Sequence, residues 1–386
     1  MVETIAGNST GRFERARERI ADAYRHRSVT TPPVIVGDCN YWITGEDPTK
    51  IPEDYFEAGG YDSMRRFQEA KIASHVERID DDYVPFLFPW YGTGVVPSAL
   101  GSRIIFQPGE EPAIEGPILG SPADVRRLEP PDPSRDGLMP RVLDCIDRLH
   151  ATSGLPVSFT DCQGPLNIAL SLAGVEQLCL WMYDAPKAVH ELMDFATTVL
   201  IDWLGVQKAH AGQPRGSGAF PHAMLLPDDF GGVWISDDDC TIISAPLYRE
   251  FVVPYNSRVL RAFGGGTLHF CGNAPHQVDN FVATDGLVGV NNWCMGEFAS
   301  VRAMQDAFEG RIVLMVCDTT PLDAEQYFRD LFGFLRPKGT IVGTYPAPAN
   351  ALDAAFHRVV TVRQDQAETA DRVWAIIRPL LGGRDT

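Results

Sequence analysis

The sequence predicts an α/β fold, a single (β/α)8 TIM barrel, on the basis of three observations. Short apolar runs of β type alternate with helical segments along most of the 386 residues, which is typical of βα units on a parallel sheet. About eight such units fit this length, as a closed barrel requires. The first strand runs into Gly37-Asp38-Cys39-Asn40, which lacks the glycine-rich phosphate turn of the competing doubly wound fold.

The first part of the chain supplies an N-terminal helix and the first two strands. Residues 12–24 carry charge pairs such as Glu14–Arg17 and Arg15–Glu18, which favour an amphipathic helix within a helical extension of residues 1–30. The barrel domain is assigned to residues 31–386. Its first elements are a strand at 34–38, a helix near 62–79, a strand at 83–88, a loop or hairpin excursion at 89–121 that is rich in Gly and Pro, and a stiff connector at 130–133.

From residue 156 onward the alternation is regular. Each strand is a short apolar run bounded by Gly, Pro or polar residues, and each helix shows helical apolar spacing. The predicted strands are 156–161, 219–225, 233–236, 266–271, 286–291, 311–316 and 339–345. The predicted helices are 165–183, 186–211, 246–263, 275–283, 299–309, 322–336 and 367–381.

The composition excludes several classes of function. With 33 basic and 51 acidic residues the formal net charge is −18, which argues against partners such as nucleic acid or an anionic membrane. No stretch approaches the roughly 20 apolar residues of a membrane helix, and the polar N-terminus lacks the apolar centre of a secretory signal. The eight cysteines form no CxxC pair, so a disulfide scaffold and a zinc ribbon are excluded. We expect a cytoplasmic enzyme with reduced thiols and a small-molecule substrate.

Polar residues gather at the predicted carboxyl ends of the strands, where barrel enzymes carry their active sites. Three acids there, Asp38, Asp161 and Asp237, are predicted to orient substrate or move protons. Helix capping is the alternative for Asp161 and for the run Asp237-Asp238-Asp239. The predicted substrate-binding residues at the same ends are Gln163, Asn273, Asn291, Tyr345 and Trp90.

The sharpest feature is His269-Phe270-Cys271 on the strand at 266–271. Residues i and i+2 of a strand point to the same side, so the imidazole and the thiol can converge at the barrel mouth. Imidazole and thiolate are preferred zinc ligands, and a catalytic zinc needs a third protein ligand. Cys317 and Cys294 are the available thiols. The alternative interpretation is that these cysteines are small apolar core residues.

Several longer runs, taken together, follow the order of a known family. They are Asp161 with Gly164-Pro165-Leu166, Gly174-Val175-Glu176, Tyr183-Asp184-Ala185-Pro186, Val189-His190-Glu191-Leu192, Ile235-Ser236-Asp237-Asp238, residues 244–255 and Leu268-His269-Phe270-Cys271-Gly272-Asn273. This set resembles the uroporphyrinogen decarboxylase superfamily over most of the chain. The resemblance implies one (β/α)8 barrel, in agreement with the strand count.

Two branches of that superfamily differ in their sites. The true decarboxylases hold propionate carboxylates with arginines after the first strand, where this chain has residues 38–42, Asp-Cys-Asn-Tyr-Trp. They hold pyrrole nitrogens with an acid at the end of the second strand, where this chain has residues 87–91, Leu-Phe-Pro-Trp-Tyr. These departures favour the branch similar to the corrinoid-dependent coenzyme M methyltransferases, whose pattern is His-x-Cys on the fifth strand plus a later Cys.

This resemblance implies a methyltransferase that moves a methyl group between a corrinoid carried by a partner protein and a small thiol or methylated substrate. Zinc is expected on His269, Cys271 and Cys317, with Cys294 as the alternative third ligand, because Thr344-Tyr345 stands where the branch has its later cysteine. Two rivals stay open, a metal-free decarboxylase of a non-porphyrin carboxylic acid and a non-catalytic binding barrel. A homodimer is compatible with the same resemblance.

Overall fold

The computed structural model describes most of the chain. The described residues are 2–37, 52–57, 59–106, 112–160, 162–218, 226–321, 323–346, 350–352, 359–361 and 366–382. Two of the predicted site acids, Asp38 and Asp161, and the strand predicted at 219–225 lie outside these residues.

Within the described residues, six parallel strands form the main sheet, in the order β1-β8-β7-β6-β5-β4. The remaining strands form two antiparallel pairs, β2 with β3 and β9 with β10. In chain order the strands are β1 (Val34–Val36), β2 (Ile104–Ile105), β3 (Ala113–Ile114), β4 (Val233–Ser236), β5 (Gly266–Cys271), β6 (Leu287–Trp293), β7 (Val313–Thr319), β8 (Thr340–Tyr345), β9 (Asn350–Leu352) and β10 (Val359–Thr361). The β2–β3 pair confirms the hairpin excursion expected after the second strand.

Two irregular segments occupy the positions of the second and third barrel strands. Leu87 forms a parallel bridge with Val157, and Gln163 forms a parallel bridge with Ser236 at the end of β4. The segment around Val157 and Gln163 therefore lies next to β4, and the segment around Leu87 lies next to it on the side of β1. Together with the helices on the outside of the sheet, this arrangement confirms the predicted α/β barrel class.

Among the described residues of the strands predicted at 83–88 and 156–161, the strand pairing consists of the single bridge between Leu87 and Val157. Pro85 has no N–H to donate to a neighbouring strand. The backbone N–H of Thr160 donates to the side chain of Gln207 at 2.8 Å instead of to a strand. Both segments thus lose hydrogen bonds that a regular ladder requires.

Two carboxylates complete the hydrogen bonding beside β1. The backbone N–H of Val34 donates to Asp82 Oδ2 at 2.8 Å, and that of Val36 donates to Asp81 Oδ2 at 2.7 Å. The N–H of Asp82 donates in return to the carbonyl of Val34 at 2.9 Å. Side-chain oxygens thus take the positions that carbonyls of a regular second strand would fill.

The helices follow the predicted positions, with two breaks. The segment predicted as 165–183 bends at Gly174, whose φ of 84° is left-handed, and the segment predicted as 246–263 divides at Val252, just before Pro254. The helices are α1 (Val2–Tyr24), α2 (Tyr61–Arg78), α3 (Val95–Ala99), α4 (Met139–Thr152), α5 (Pro165–Ala173), α6 (Val175–Asp184), α7 (Pro186–His210), α8 (Ala245–Phe251), α9 (Val253–Ala262), α10 (Val278–Ala283), α11 (Phe298–Phe308), α12 (Ala324–Phe334) and α13 (Gln366–Leu380). In the part of the chain that the structure describes, no single helix is long and apolar enough to cross a membrane, and only α5 and α6 together, bent by 103°, reach that length and composition.

The N-terminal helix α1 packs on the barrel rather than away from it. Ile20 and Tyr24 are buried in the same apolar core as the strands. The hydroxyl of Tyr24 lies 3.4 Å from Oγ1 of Thr267, at the start of β5. The helix therefore covers the amino-terminal end of the barrel and leaves the carboxyl ends of the strands for the site.

Candidate metal centre

Three potential metal ligands converge at the carboxyl ends of β4 and β5. His269 and Cys271 lie on β5, two residues apart, and Asp238 follows the end of β4, which pairs with β5 through Ser236 and His269. The ligand atoms of Asp238, His269 and Cys271 all lie within 4.8 Å of one another. His269 Nε2 is 3.5 Å from Cys271 Sγ and 3.5 Å from Asp238 Oδ1.

Backbone and side-chain hydrogen bonds fix this triad. The N–H of Cys271 donates to Asp238 Oδ1 at 2.8 Å, which holds the carboxylate beside the thiol. His269 Nδ1 lies 2.5 Å from Oδ1 of Asn291, its register neighbour on β6. An amide oxygen only accepts, so Nδ1 carries a proton, and in a neutral ring the lone pair is then on Nε2, which faces the triad. A hydrogen-bonded second nitrogen is the usual condition of a metal-ligating histidine.

The donor set fits a zinc ion. Zinc binds imidazole nitrogen, carboxylate oxygen and thiolate sulfur at about 2.0–2.3 Å in tetrahedral geometry, which places neighbouring ligand atoms roughly 3.3–3.7 Å apart. The two separations of 3.5 Å from His269 Nε2 fall in that range. Three protein ligands leave a fourth position for substrate, as in catalytic zinc sites.

The thiol of Cys271 is strongly influenced by its surroundings. Burial and the neighbouring Asp238 raise the pKa of Cys271 well above the usual range of a thiol. A divalent cation reverses this electrostatic balance, because it stabilises the thiolate and the carboxylate together. Burial and Asp238 on their own therefore favour the neutral thiol of Cys271.

The two thiols predicted as third ligand have other hydrogen-bond partners. Cys317, on β7, accepts a hydrogen bond from Asn291 Nδ2 at 3.2 Å and is outside the group of converging ligand atoms. Cys294 donates from Sγ to Oδ2 of Asp318 at 3.0 Å and is fully buried. The structure thus brings Asp238, and neither of these cysteines, to His269 and Cys271.

Asp237, predicted to orient substrate or move protons, is fully buried next to the triad and faces the helices. Its Oδ2 accepts hydrogen bonds from the Tyr248 hydroxyl on α8 and, at 2.9 Å, from Asn256 Nδ2 on α9. Burial raises the pKa of Asp237 to about 7. Its backbone N–H donates to the carbonyl of His269 at 2.7 Å, so Asp237 ties the end of β4 to β5.

The predicted substrate-binding residues divide into two groups. Asn291 and Tyr345 lie at the site: Asn291 contacts His269, and Tyr345 stacks on Trp293 at 4.8 Å between ring centroids with an interplanar angle of 15°. The other three have contacts with residues outside the triad. Asn273 Oδ1 accepts from the backbone N–H of Ser300 at 3.0 Å, Trp90 stacks on Phe88 at 5.6 Å, and Gln163 forms the bridge to Ser236.

Sequence reasoning missed Asp238 as a potential ligand, because the run of three aspartates has an equally good interpretation as a helix cap. The available signal was positional. Asp238 follows the strand that precedes His269-x-Cys271, and consecutive strands of a barrel are neighbours, so their carboxyl ends lie side by side.

The fold and the triad define a class of protein, a (β/α)8 barrel with a candidate metal centre at the mouth. The model of the uroporphyrinogen decarboxylase (URO-D) family matches residues 15–213, slightly more than half of the chain. The chain therefore belongs to this family of barrel enzymes.

The proteins similar to this chain include both a methyltransferase and a decarboxylase. A methylated-thiol–coenzyme M methyltransferase of Methanosarcina mazei is 26% identical over 188 residues, 48% of this chain and 46% of the relative. A uroporphyrinogen decarboxylase of Syntrophotalea carbinolica is 30% identical over 206 residues, 51% of this chain and 53% of the relative. The chain thus spans about half the length of these curated relatives.

A solved structure of a methyltransferase from Methanosarcina mazei has a similar fold. The TM-score is 0.65 at 16% sequence identity, and the superposition covers 94% of this chain and 97% of the other. At this identity the likeness concerns the fold, and it extends over nearly the whole barrel.

Proposed function

We propose that this protein is a zinc-dependent methyltransferase, which moves a methyl group between a corrinoid carried by a partner protein and a small thiol or methylated substrate. The observation that carries the proposal is the convergence of His269, Cys271 and Asp238 at zinc-ligand spacing. The methyltransferases among the similar proteins support this branch of the family. Bound zinc would supply a Lewis acid that lowers the pKa of a coordinating thiol.

The residues around the site would bind the ion, hold its ligands in orientation and give the substrate an apolar surface. His269 would present Nε2 to the ion while Asn291 holds its other nitrogen, and Cys271 and Asp238 would supply the two negative charges that balance a divalent cation. Trp293 is the register neighbour of Cys271 on the adjacent strand, and its ring is stacked on Tyr345. This aromatic pair gives the methyl-bearing part of a substrate an apolar surface beside the ligands.

The test combines metal content with methyl transfer. Protein purified without chelator is analysed for zinc, and methylcobalamin with 2-mercaptoethanol serves as donor and acceptor, so that loss of the methyl–cobalt bond is followed by absorbance. We expect wild type to contain stoichiometric zinc and to catalyse the transfer. His269→Gln and Cys271→Ser are expected to lose both.

Cys179→Ser is the matched control, since Cys179 is a partly exposed cysteine on α6 and not part of the triad. It should retain zinc and the full rate. Wild-type protein without zinc, or triad variants with unchanged zinc and rate, would refute the proposal.

A metal-free decarboxylase of a non-porphyrin carboxylic acid is the second candidate, which the decarboxylase among the similar proteins favours. The end of the second barrel strand carries the buried apolar residues Phe88, Trp90 and Tyr91, which offer no carboxylate to pyrrole nitrogens. This candidate predicts release of CO2 from a small carboxylic acid by chelator-treated protein. It also predicts that Cys271→Ser leaves that rate unchanged.

A further inference from the structure

A chain of three buried side chains runs from the triad across β6 to β7. His269 Nδ1 lies 2.5 Å from Asn291 Oδ1, and Asn291 Nδ2 donates to Cys317 Sγ at 3.2 Å. All three residues are 2% exposed. The chain therefore links the imidazole at the candidate metal centre to a thiol two strands away through buried side chains.

We propose that Cys317 is a positioning residue rather than a metal ligand. Its sulfur fixes the amide of Asn291, and Asn291 in turn holds His269 in the tautomer that directs Nε2 at the metal centre. This inference rests on the proposed function only in assigning a cation to the triad, and the arrangement of the three side chains exists without it.

Either end of the Asn291 amide, the oxygen or the NH2 group, can face Nδ1 of His269. The two orientations place the proton of a neutral imidazole on different ring nitrogens. If the NH2 group faced Nδ1, it would donate to that nitrogen and move the imidazole proton to Nε2, where it would block a metal. In the structure the NH2 group points away from His269 and donates to Cys317 Sγ at 3.2 Å. Only the amide oxygen is then left for His269, and this oxygen requires a proton on Nδ1.

The surroundings keep Cys317 suited to this role. Burial and the adjacent Asp318 raise the pKa of Cys317 above the usual thiol range, so its sulfur is a neutral thiol, which can accept weakly from the amide and can itself donate weakly. Asp238 already supplies the third ligand atom within 4.8 Å of the other two. A site with Asp238, His269 and Cys271 is complete for a catalytic metal without a further thiolate.

The first experiment measures zinc affinity of the whole protein by competition with a chromophoric chelator. Asn291→Leu is expected to weaken binding by about 10- to 100-fold, the usual effect of losing the partner of a ligating histidine. Cys317→Ala is expected to weaken it less, and Cys317→Ser to stay close to wild type, because the serine hydroxyl also accepts from the amide. If Cys317→Ser loses zinc as severely as Cys271→Ser, Cys317 is a ligand and the inference is wrong.

The second experiment needs no metal. Chelator-treated protein labelled with 15N-histidine is examined by NMR, and the signals that disappear in His269→Gln identify His269. We expect wild type and Cys317→Ser to show the Nδ1–H tautomer, while Asn291→Leu and Cys317→Ala shift towards Nε2–H. An Nε2–H tautomer in wild type would overturn the inference, whereas absence of bound zinc alone would overturn only the proposed function.

Discussion

Replacement of Asp81 by Asn tests whether side-chain carboxylates complete the barrel beside β1. Asp81 is fully buried and accepts four hydrogen bonds, from the backbone N–H of Val36 at 2.7 Å and of Tyr83 at 3.1 Å, from Arg12 at 3.1 Å and from His75 at 3.0 Å. Asparagine has the same size but only one acceptor oxygen. Its NH2 group would meet N–H donors that then have no acceptor.

The expected loss is large because the group is buried. Removing one partner of a buried, hydrogen-bonded ion pair costs about 3–5 kcal/mol, since the other charges stay buried without a partner. Asp80 is the matched control. It is the adjacent residue and pairs with the same Arg12, at 3.3 Å, but its side chain is 82% exposed. Water screens such a pair, so Asp80→Asn is expected to have little effect.

The assay is urea unfolding followed by tryptophan fluorescence and circular dichroism, as a function of pH. Against the opposing effect of burial, His75, the Val36 N–H and Arg12 lower the pKa of Asp81 below its usual value. Its contribution is therefore fully present above the unfolded pKa and is lost as pH falls through the folded pKa. The difference between wild type and Asp81→Asn should be constant near neutral pH and shrink in acid. Equal losses for Asp80→Asn and Asp81→Asn would refute the reasoning.

Three further predictions concern other parts of the molecule. Burial lowers the pKa of Lys208 to about 7, so between about pH 7 and 10 this lysine is protonated in the unfolded chain and neutral in the folded protein. The free energy of unfolding of wild type should therefore rise over this pH range relative to that of Lys208→Met, as measured by urea titrations at each pH. Tyr327→Phe removes the hydroxyl that donates to buried Asp318 and should cost about 1.5–3 kcal/mol, measured by thermal unfolding. Zinc at 100 times its Kd should stabilise wild type by about 2.7 kcal/mol, and a chelator should abolish this gain; His269→Gln should respond to neither addition in the same thermal assay.

The second half of the barrel could be predicted closely from the sequence, while the second and third strands could not. The strand predicted at 266–271 coincides with β5, because its β-type residues, among them Thr267, Leu268 and Phe270, form a short run bounded by glycine on both sides. The segments around Leu87 and Val157 have the same apolar character but form single bridges. Pro85 has no N–H to donate, Thr160 donates to the side chain of Gln207, and the carboxylates of Asp81 and Asp82 accept from β1 in place of a second strand. Such competition between partners is not visible in local sequence.

What the sequence determined by itself is the pair His269 and Cys271, since the two-residue period of a strand places both side chains on one face. What only the tertiary structure decided is the third member of the group. Asp237 and Asp238 are adjacent and chemically identical, yet Asp237 turns to Tyr248 and Asn256 whereas Asp238 reaches His269 and Cys271. The backbone direction at the end of β4 selects between them, and packing of β4 against β5 and the outer helices sets that direction.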